Sequence, residues 1–68
     1  MTLEKRSLSL SGHRTSVALE PEFWAALEAA AARRGVALGT LVGEVDASRD
    51  PERPLASALR VFALIAGG

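Results

Sequence analysis

Sixty-eight residues with eight Lys+Arg, eight Asp+Glu, one histidine and no cysteine leave room for one small domain and exclude disulfide staples and thiolate metal sites. An apolar fraction of 49% against 24% charged excludes a disordered tail. A lone core in so short a chain supplies no more than about 3–5 kcal/mol, so bulk numbers predict an obligate oligomer stapled by a second copy of itself.

The chain opens with two stretches of period 2. In Ser7-Leu8-Ser9-Leu10-Ser11 the apolar residues carry even numbers; in Thr15-Ser16-Val17-Ala18-Leu19 the strongest apolar residues carry odd ones. Successive strand side chains point to opposite faces, so one unbroken strand cannot bury both sets. A bulge, a turn or a break is required at Ser11-Gly12-His13, and Gly12 is the residue that tolerates it. The reading is a short extended arm at 6–10 and a strand at 13–19. Lys5, Arg6 and Arg14 against Glu4 give residues 1–19 a net charge of +2, whereas three arginines against six acids give residues 20–50 a net of −3.

The period then becomes helical. Pro21 suits a first helical turn, and Glu20 and Glu22 suit the positive end of the dipole. Phe23, Leu27, Ala30 or Ala31, and Arg34 form one stripe. Trp24, beside Phe23, reads as dimer core or a packed surface aromatic. Arg33 and Arg34 sit where cations are favoured, and Gly35 is a good stop, which predicts a helix over 21–34. Leu38, Leu41, Val42 and Val45 predict a second helix over 38–48, with Ala37 at its N-cap. Gly39 and Gly43 each weaken it by roughly 1 kcal/mol relative to Ala. They leave two bare backbone patches that imply close approach of a neighbour. Residues 48–54 form a polar loop with Pro51 and Pro54. Pro54 opens a last helix, 55–66, with Leu55, Ala58, Leu59, Phe62 and Ile65 on one face, stopping at Gly67-Gly68. The division is an arm over 1–12, a core over 13–50, and a loop with C-terminal helix over 51–68.

No nucleophile–base–orienter set can be assembled, and one histidine is too few for a metal cluster, so the expectation is a non-enzyme without metal or cofactor. The opening residues lack the apolar core of a signal peptide, and the apolar run 61–66 is far short of the roughly 20 residues that span a bilayer. A cytoplasmic protein without a membrane partner is expected.

One strand cannot form a sheet alone. The economical solution pairs strand 13–19 of two chains antiparallel about a twofold axis. Here Arg14-Thr15-Ser16-Val17-Ala18-Leu19, the early helical Pro21, Gly35, and Leu38 with Leu41-Val42 resemble the ribbon-helix-helix family. Leu19 and Gly35 are sixteen positions apart (35 less 19), a spacing common in that family. The opening Lys5-Arg6-Ser7-Leu8-Ser9-Leu10-Ser11-Gly12-His13-Arg14-Thr15-Ser16-Val17, with Glu20-Pro21-Glu22-Phe23-Trp24 and Leu55-Ala56-Ser57-Ala58-Leu59-Arg60-Val61-Phe62, looks like a short bacterial subfamily. The resemblance implies a mainly α fold with one short intermolecular β-ribbon: a ribbon-helix-helix homodimer, joined through strand 13–19 and the helices, with an added C-terminal helix.

The function so implied is a transcriptional regulator that places a two-stranded ribbon in the major groove of double-stranded DNA. With Thr15, Val17 and Leu19 facing the core, the reading set is Arg14, Ser16 and Ala18. Arg bonds guanine bidentately and Ser bonds several bases. Ala18 departs from the polar residue common in the family and offers only a contact to a thymine methyl. Leu38 and Gly39, at the start of helix 38–48, would offer free N–H groups to a phosphate. Lys5, Arg6 and His13 would add phosphate contacts. The alternative is a protein-interaction module, antitoxin-like or adaptor, docking through helix 55–66. One geometry counts against DNA. If Leu8 and Leu10 turn back at Ser11-Gly12 and pair with 13–19, a dimer has a four-stranded sheet, wider than the groove.

Overall fold

The computed structural model describes residues 2–67. Two strands, β1 (Glu4–Leu10) and β2 (His13–Leu19), precede three helices, α1 (Pro21–Arg34), α2 (Leu38–Ser48) and α3 (Leu55–Gly67). Gly68, the second half of the expected stop, lies outside the described residues, as does Met1.

Residues 4–10 are a paired strand, which corrects the arm expected over 1–12. β1 and β2 form an antiparallel hairpin with Leu10 opposite His13, Leu8 opposite Thr15, Arg6 opposite Val17 and Glu4 opposite Leu19. Opposite residues in an antiparallel pair share a face. The even-numbered set of β1 therefore joins the odd-numbered set of β2, which is how the chain resolves its change of parity. Strand 13–19 is thus bonded within its own chain, by the turn-back at Ser11-Gly12 that the sequence reading weighed as the geometry counting against DNA. The turn is Ser11-Gly12, with φ of 51° and 82°. Positive φ at both central residues is the type I′ geometry that matches the twist of a hairpin. Ser11 bears the steric cost of the left-handed region, about 1–2 kcal/mol. Ser11→Asn is accordingly expected to raise the melting temperature and Gly12→Ala to lower it, both read by circular dichroism.

α1 begins at Pro21 after Glu20, whose carbonyl accepts from Phe23 and Trp24 N–H at 2.9 and 3.3 Å. It ends in a Schellman motif. Gly35 is left-handed (φ 69°), Val36 N–H reaches the Ala31 carbonyl at 3.0 Å and Gly35 N–H the Ala32 carbonyl at 3.1 Å. The buried stripe is Trp24, Leu27, Ala30 and Ala31. Leu27, Ala30 and Ala31 lie as predicted, whereas at the ends of the stripe Trp24 is buried in place of Phe23, which is half-buried, and Arg34 is exposed.

α2 buries Leu41, Val42 and Val45, as its spacing predicts. Gly43 is where β1 comes near: a side chain there would meet the Leu10 methyl Cδ2 at 4.0 Å, while a side chain at Gly39 would meet nothing within 4 Å. The predicted close approach exists at one glycine and not the other. Beyond α2, Asp50 closes a turn, its carbonyl taking Arg53 N–H and its carboxylate Glu52 N–H. Pro54 then opens α3, accepting from Ala58 N–H. Leu55, Ala58, Leu59 and Phe62 face inward with Ala63. Ile65 does not: it is 74% exposed, which corrects its place on the predicted inner face.

The helices cover one face of the sheet, α2 against β1 and α3 against β2, while α1 packs on both other helices. The core runs from Leu10, Val17 and Leu19 through Trp24 and Leu27 to Leu41, Val42 and Leu59, all within one chain. Among the described residues no buried polar side-chain atom lacks a hydrogen-bond partner. The expectation that one copy encloses too little apolar interior is therefore too strong. The second strand and α3 supply in cis what a partner was expected to supply.

Candidate nucleic-acid interface

With the inner face assigned, the outer face of the hairpin follows from the register. Lys5 stands opposite Ala18, Ser7 opposite Ser16 and Ser9 opposite Arg14. All are exposed except Ala18, which is half-buried. The face carries two cations and three hydroxyls and no acid. Its internal bonds are loose: Ser7 and Ser16 hydroxyls lie 3.4 Å apart, and Arg14 Nη1 donates to Ser9 Oγ at 3.4 Å. The Arg14 guanidinium therefore remains available for a ligand. Ser7 and Ser9 were missed as site candidates because β1 reads as an unpaired arm. Their alternation with Leu8 and Leu10 was the signal that places them opposite Ser16 and Arg14.

The other basic side chains are mostly committed. Arg34 pairs with Glu44, Arg49 with Asp46 and Arg60 with Glu20. Among the described residues the cations without a carboxylate partner are Lys5, Arg14, Arg33 and Arg53. Two of these four share the outer sheet face.

Arg6 departs from the predicted set. It lies on the inner face of β1, bonded to Glu4 and Glu28, with its guanidinium carbon 4.8 Å from the Trp24 ring centroid. The hydrogen bonds it donates to Glu28 and then to Glu4 raise its pKa further. Trp24 Nε1 donates to the Glu4 carbonyl at 2.8 Å, so strand, ring and guanidinium form one lock. His13 is exposed beside the turn. Leu38 and Gly39 begin α2 after Ala37, whose backbone is extended (φ −70°, ψ 153°) and which makes no side-chain cap. First-turn N–H groups of such a helix have no intrahelical partner, and the open space at Gly39 leaves its backbone approachable.

Glu20 joins the sheet to α1. Its carboxylate accepts from its own backbone N–H and from Arg60 Nε at 3.0 Å, which together hold its pKa below the ordinary value. A depressed folded-state pKa contributes stability above the usual carboxylate range and loses it as pH falls through the lowered value. Glu20→Gln is expected to flatten the acid limb of a stability–pH profile measured by urea unfolding.

Among the described residues no helix is long and apolar enough to cross a membrane, and no group of three or more His, Asp or Glu side chains is placed to hold a metal ion. No curated protein matches the chain. Among solved structures the chain is similar to an uncharacterized protein from Bordetella pertussis Tohama I. The identity is 35% and the TM-score 0.76, over 93% of this chain and 54% of that one. The chain thus spans about half the length of that neighbour. The profile of the ribbon-helix-helix domain family matches residues 3–66, a family whose members generally dimerise and bind DNA. With its two-stranded ribbon followed by helices, and one helix added at the C-terminal end, the chain belongs to the ribbon-helix-helix domain family.

Proposed function

We propose that the protein is a dimeric regulator of transcription that binds double-stranded DNA in the cytoplasm through the outer face of its β1–β2 sheet. The observation that carries this reading is the exposed, acid-free face on which Lys5 and Arg14, both without a carboxylate partner, stand among Ser7, Ser9 and Ser16. Arg14 and Ser16 read base edges, Ala18 touches a thymine methyl, and Lys5 and His13 meet phosphates. The first N–H groups of α2, at Leu38 and Gly39, take a further phosphate. Arg6 has no part in it, because its guanidinium is taken up by Glu4, Glu28 and Trp24.

Sheet width constrains the docking. Pairing with β1 uses one edge of β2 and leaves the other free. A β2–β2 pair about a twofold axis makes four strands, and at roughly 4.8 Å per strand these span about 14 Å between outer axes, against a groove of roughly 12 Å. Only the two central strands then face the groove floor. Each β1 lies over a groove wall, where Lys5, Ser7 and Ser9 meet the phosphates. The test is duplex binding by fluorescence anisotropy at low salt. Binding that weakens steeply as salt rises is expected, and no binding at low salt ends the reading. The protein-interaction alternative draws on one observation, the exposed Val61, Leu64 and Ile65 of α3. It is the reading left standing if duplex binding fails.

A further inference from the structure

We infer that the groove between the end of α2, the 49–54 loop and α3 is a binding site for a free α-amino acid with an apolar side chain, taken as its zwitterion. The groove has a volume of about 320 Å³, room enough for a molecule of that class. Part of its lining is apolar: Val45, Ala58, Val61 and Phe62. Val45 and Ala58 are each 8% exposed and Val61 is 42% exposed, so this wall runs from the core of the chain out to its surface. The charged part of the lining is Arg49, Asp50 and Arg53. No residue of β1 or β2 lines the groove, which keeps it apart from the outer sheet face.

The three charged side chains are only partly used by the fold. Arg49 is fixed in place, its Nε donating to Asp46 at 2.8 Å and its Nη1 to the Arg53 carbonyl at 2.8 Å, which ties the loop to α2. A guanidinium has five N–H groups, and among the described residues Nη2 of Arg49 donates to nothing. Arg53 has only the Ser57 hydroxyl, at 3.4 Å. Asp50 accepts the Glu52 N–H at 2.8 Å through Oδ1. Asp50 and Arg53 stand in the same loop with opposite charges and line the same groove, yet they form no ion pair with each other. With Asp46 offsetting Arg49, the groove presents one open cation and one open anion.

That pair selects the ligand. A simple carboxylate satisfies Arg53 but sits beside Asp50, and a simple amine satisfies Asp50 but sits beside two guanidinium groups. Like charges at such range repel. An α-amino acid answers both. Its carboxylate takes Arg53 together with the spare Nη2 of Arg49, an arrangement suited to the planar donors of arginine, and its ammonium takes Asp50. The Ser48 hydroxyl also lines the groove; it donates to the Glu44 carbonyl at 3.1 Å and keeps lone pairs for the same ammonium. The ligand's side chain is apolar because the wall of Val45, Ala58, Val61 and Phe62 gives a polar one no hydrogen-bonding side chain. Leucine and phenylalanine have the required chemistry. Bound in this way, the amino acid joins the last turn of α2 and the loop to α3.

The experiment is a titration of the full chain, with no DNA present, followed by amide shifts in nuclear magnetic resonance, so its outcome is independent of duplex binding. The probes are L-leucine, L-phenylalanine, isocaproate, which lacks the ammonium, and isopentylamine, which lacks the carboxylate. The amino acids are expected to give saturable shifts gathered on residues 48–62 and to bind at least about tenfold tighter than either fragment. Arg53→Ala is expected to weaken leucine about tenfold. Asp50→Asn keeps an oxygen for the Glu52 N–H, so the loop holds its turn; this variant is expected to weaken leucine but not isocaproate. Absence of saturable shifts at millimolar amino acid overturns the proposal. Isocaproate binding as tightly as leucine overturns the zwitterion as ligand, and unchanged leucine affinity in Arg53→Ala overturns the groove as its site.

Discussion

Trp24→Ala is expected to unfold the protein. The ring is 1% exposed and packs into the core. Its Nε1 holds the Glu4 carbonyl at 2.8 Å, and the Arg6 guanidinium lies over its face. Truncating a buried aromatic costs about 3–5 kcal/mol, which is as much as a lone core of this size supplies. A single substitution on α1 thereby removes the support of β1, and β1 is what completes the sheet. Trp24→Phe keeps most of the packing but leaves the Glu4 carbonyl without its donor, for a smaller loss of about 1–3 kcal/mol. Thermal unfolding followed by circular dichroism separates the two. A Trp24→Ala chain that still melts cooperatively near the wild-type temperature would show that β1 is anchored elsewhere.

Arg14→Ala is expected to lower affinity for a preferred duplex by about 1–3 kcal/mol, roughly ten- to a hundredfold, and to relax the preference at one base position. Lys5→Ala is expected to weaken all duplexes alike and to reduce the salt slope by about 1. Arg6→Ala provides the contrast. Arg6 belongs to the inner face, so its removal is expected to lower the melting temperature through Trp24 and Glu28 while a folded sample keeps its duplex affinity. Anisotropy titrations across a salt series distinguish the three. Equal losses from Arg6→Ala and Arg14→Ala in folded protein would overturn the assignment of faces.

The helices were legible because their signals are local. Pro21 with its flanking acids, the left-handed Gly35 and the spacing of Leu41, Val42 and Val45 each act within a turn or two, and α1 and α2 have the bounds they predict. The outward placement of Arg14 and Ser16 was legible for the same reason, since alternation along one strand needs no distant partner. The parity change at Ser11-Gly12 was legible as a necessity but not as a shape. A bulge and a type I′ turn both satisfy it, and the choice depends on what lies under residues 4–8.

Tertiary structure decided the rest. Phe23 and Trp24 both stand at helical spacing from Leu27 and Ala30 or Ala31, so a stripe begun by either reads alike in the sequence. The choice falls to Trp24 because the Glu4 carbonyl and the Arg6 guanidinium lie above it. α3 had no polar side by which to orient it, so packing against β2 turned Ala63 inward and Ile65 outward. The sequence by itself determined where chain segments turn, coil and stop, since those choices rest on dihedral preference and short-range spacing. Which face meets which neighbour was decided only in three dimensions, because it depends on bonds and burial between residues twenty to forty positions apart, such as Trp24 with Glu4 and Arg60 with Glu20.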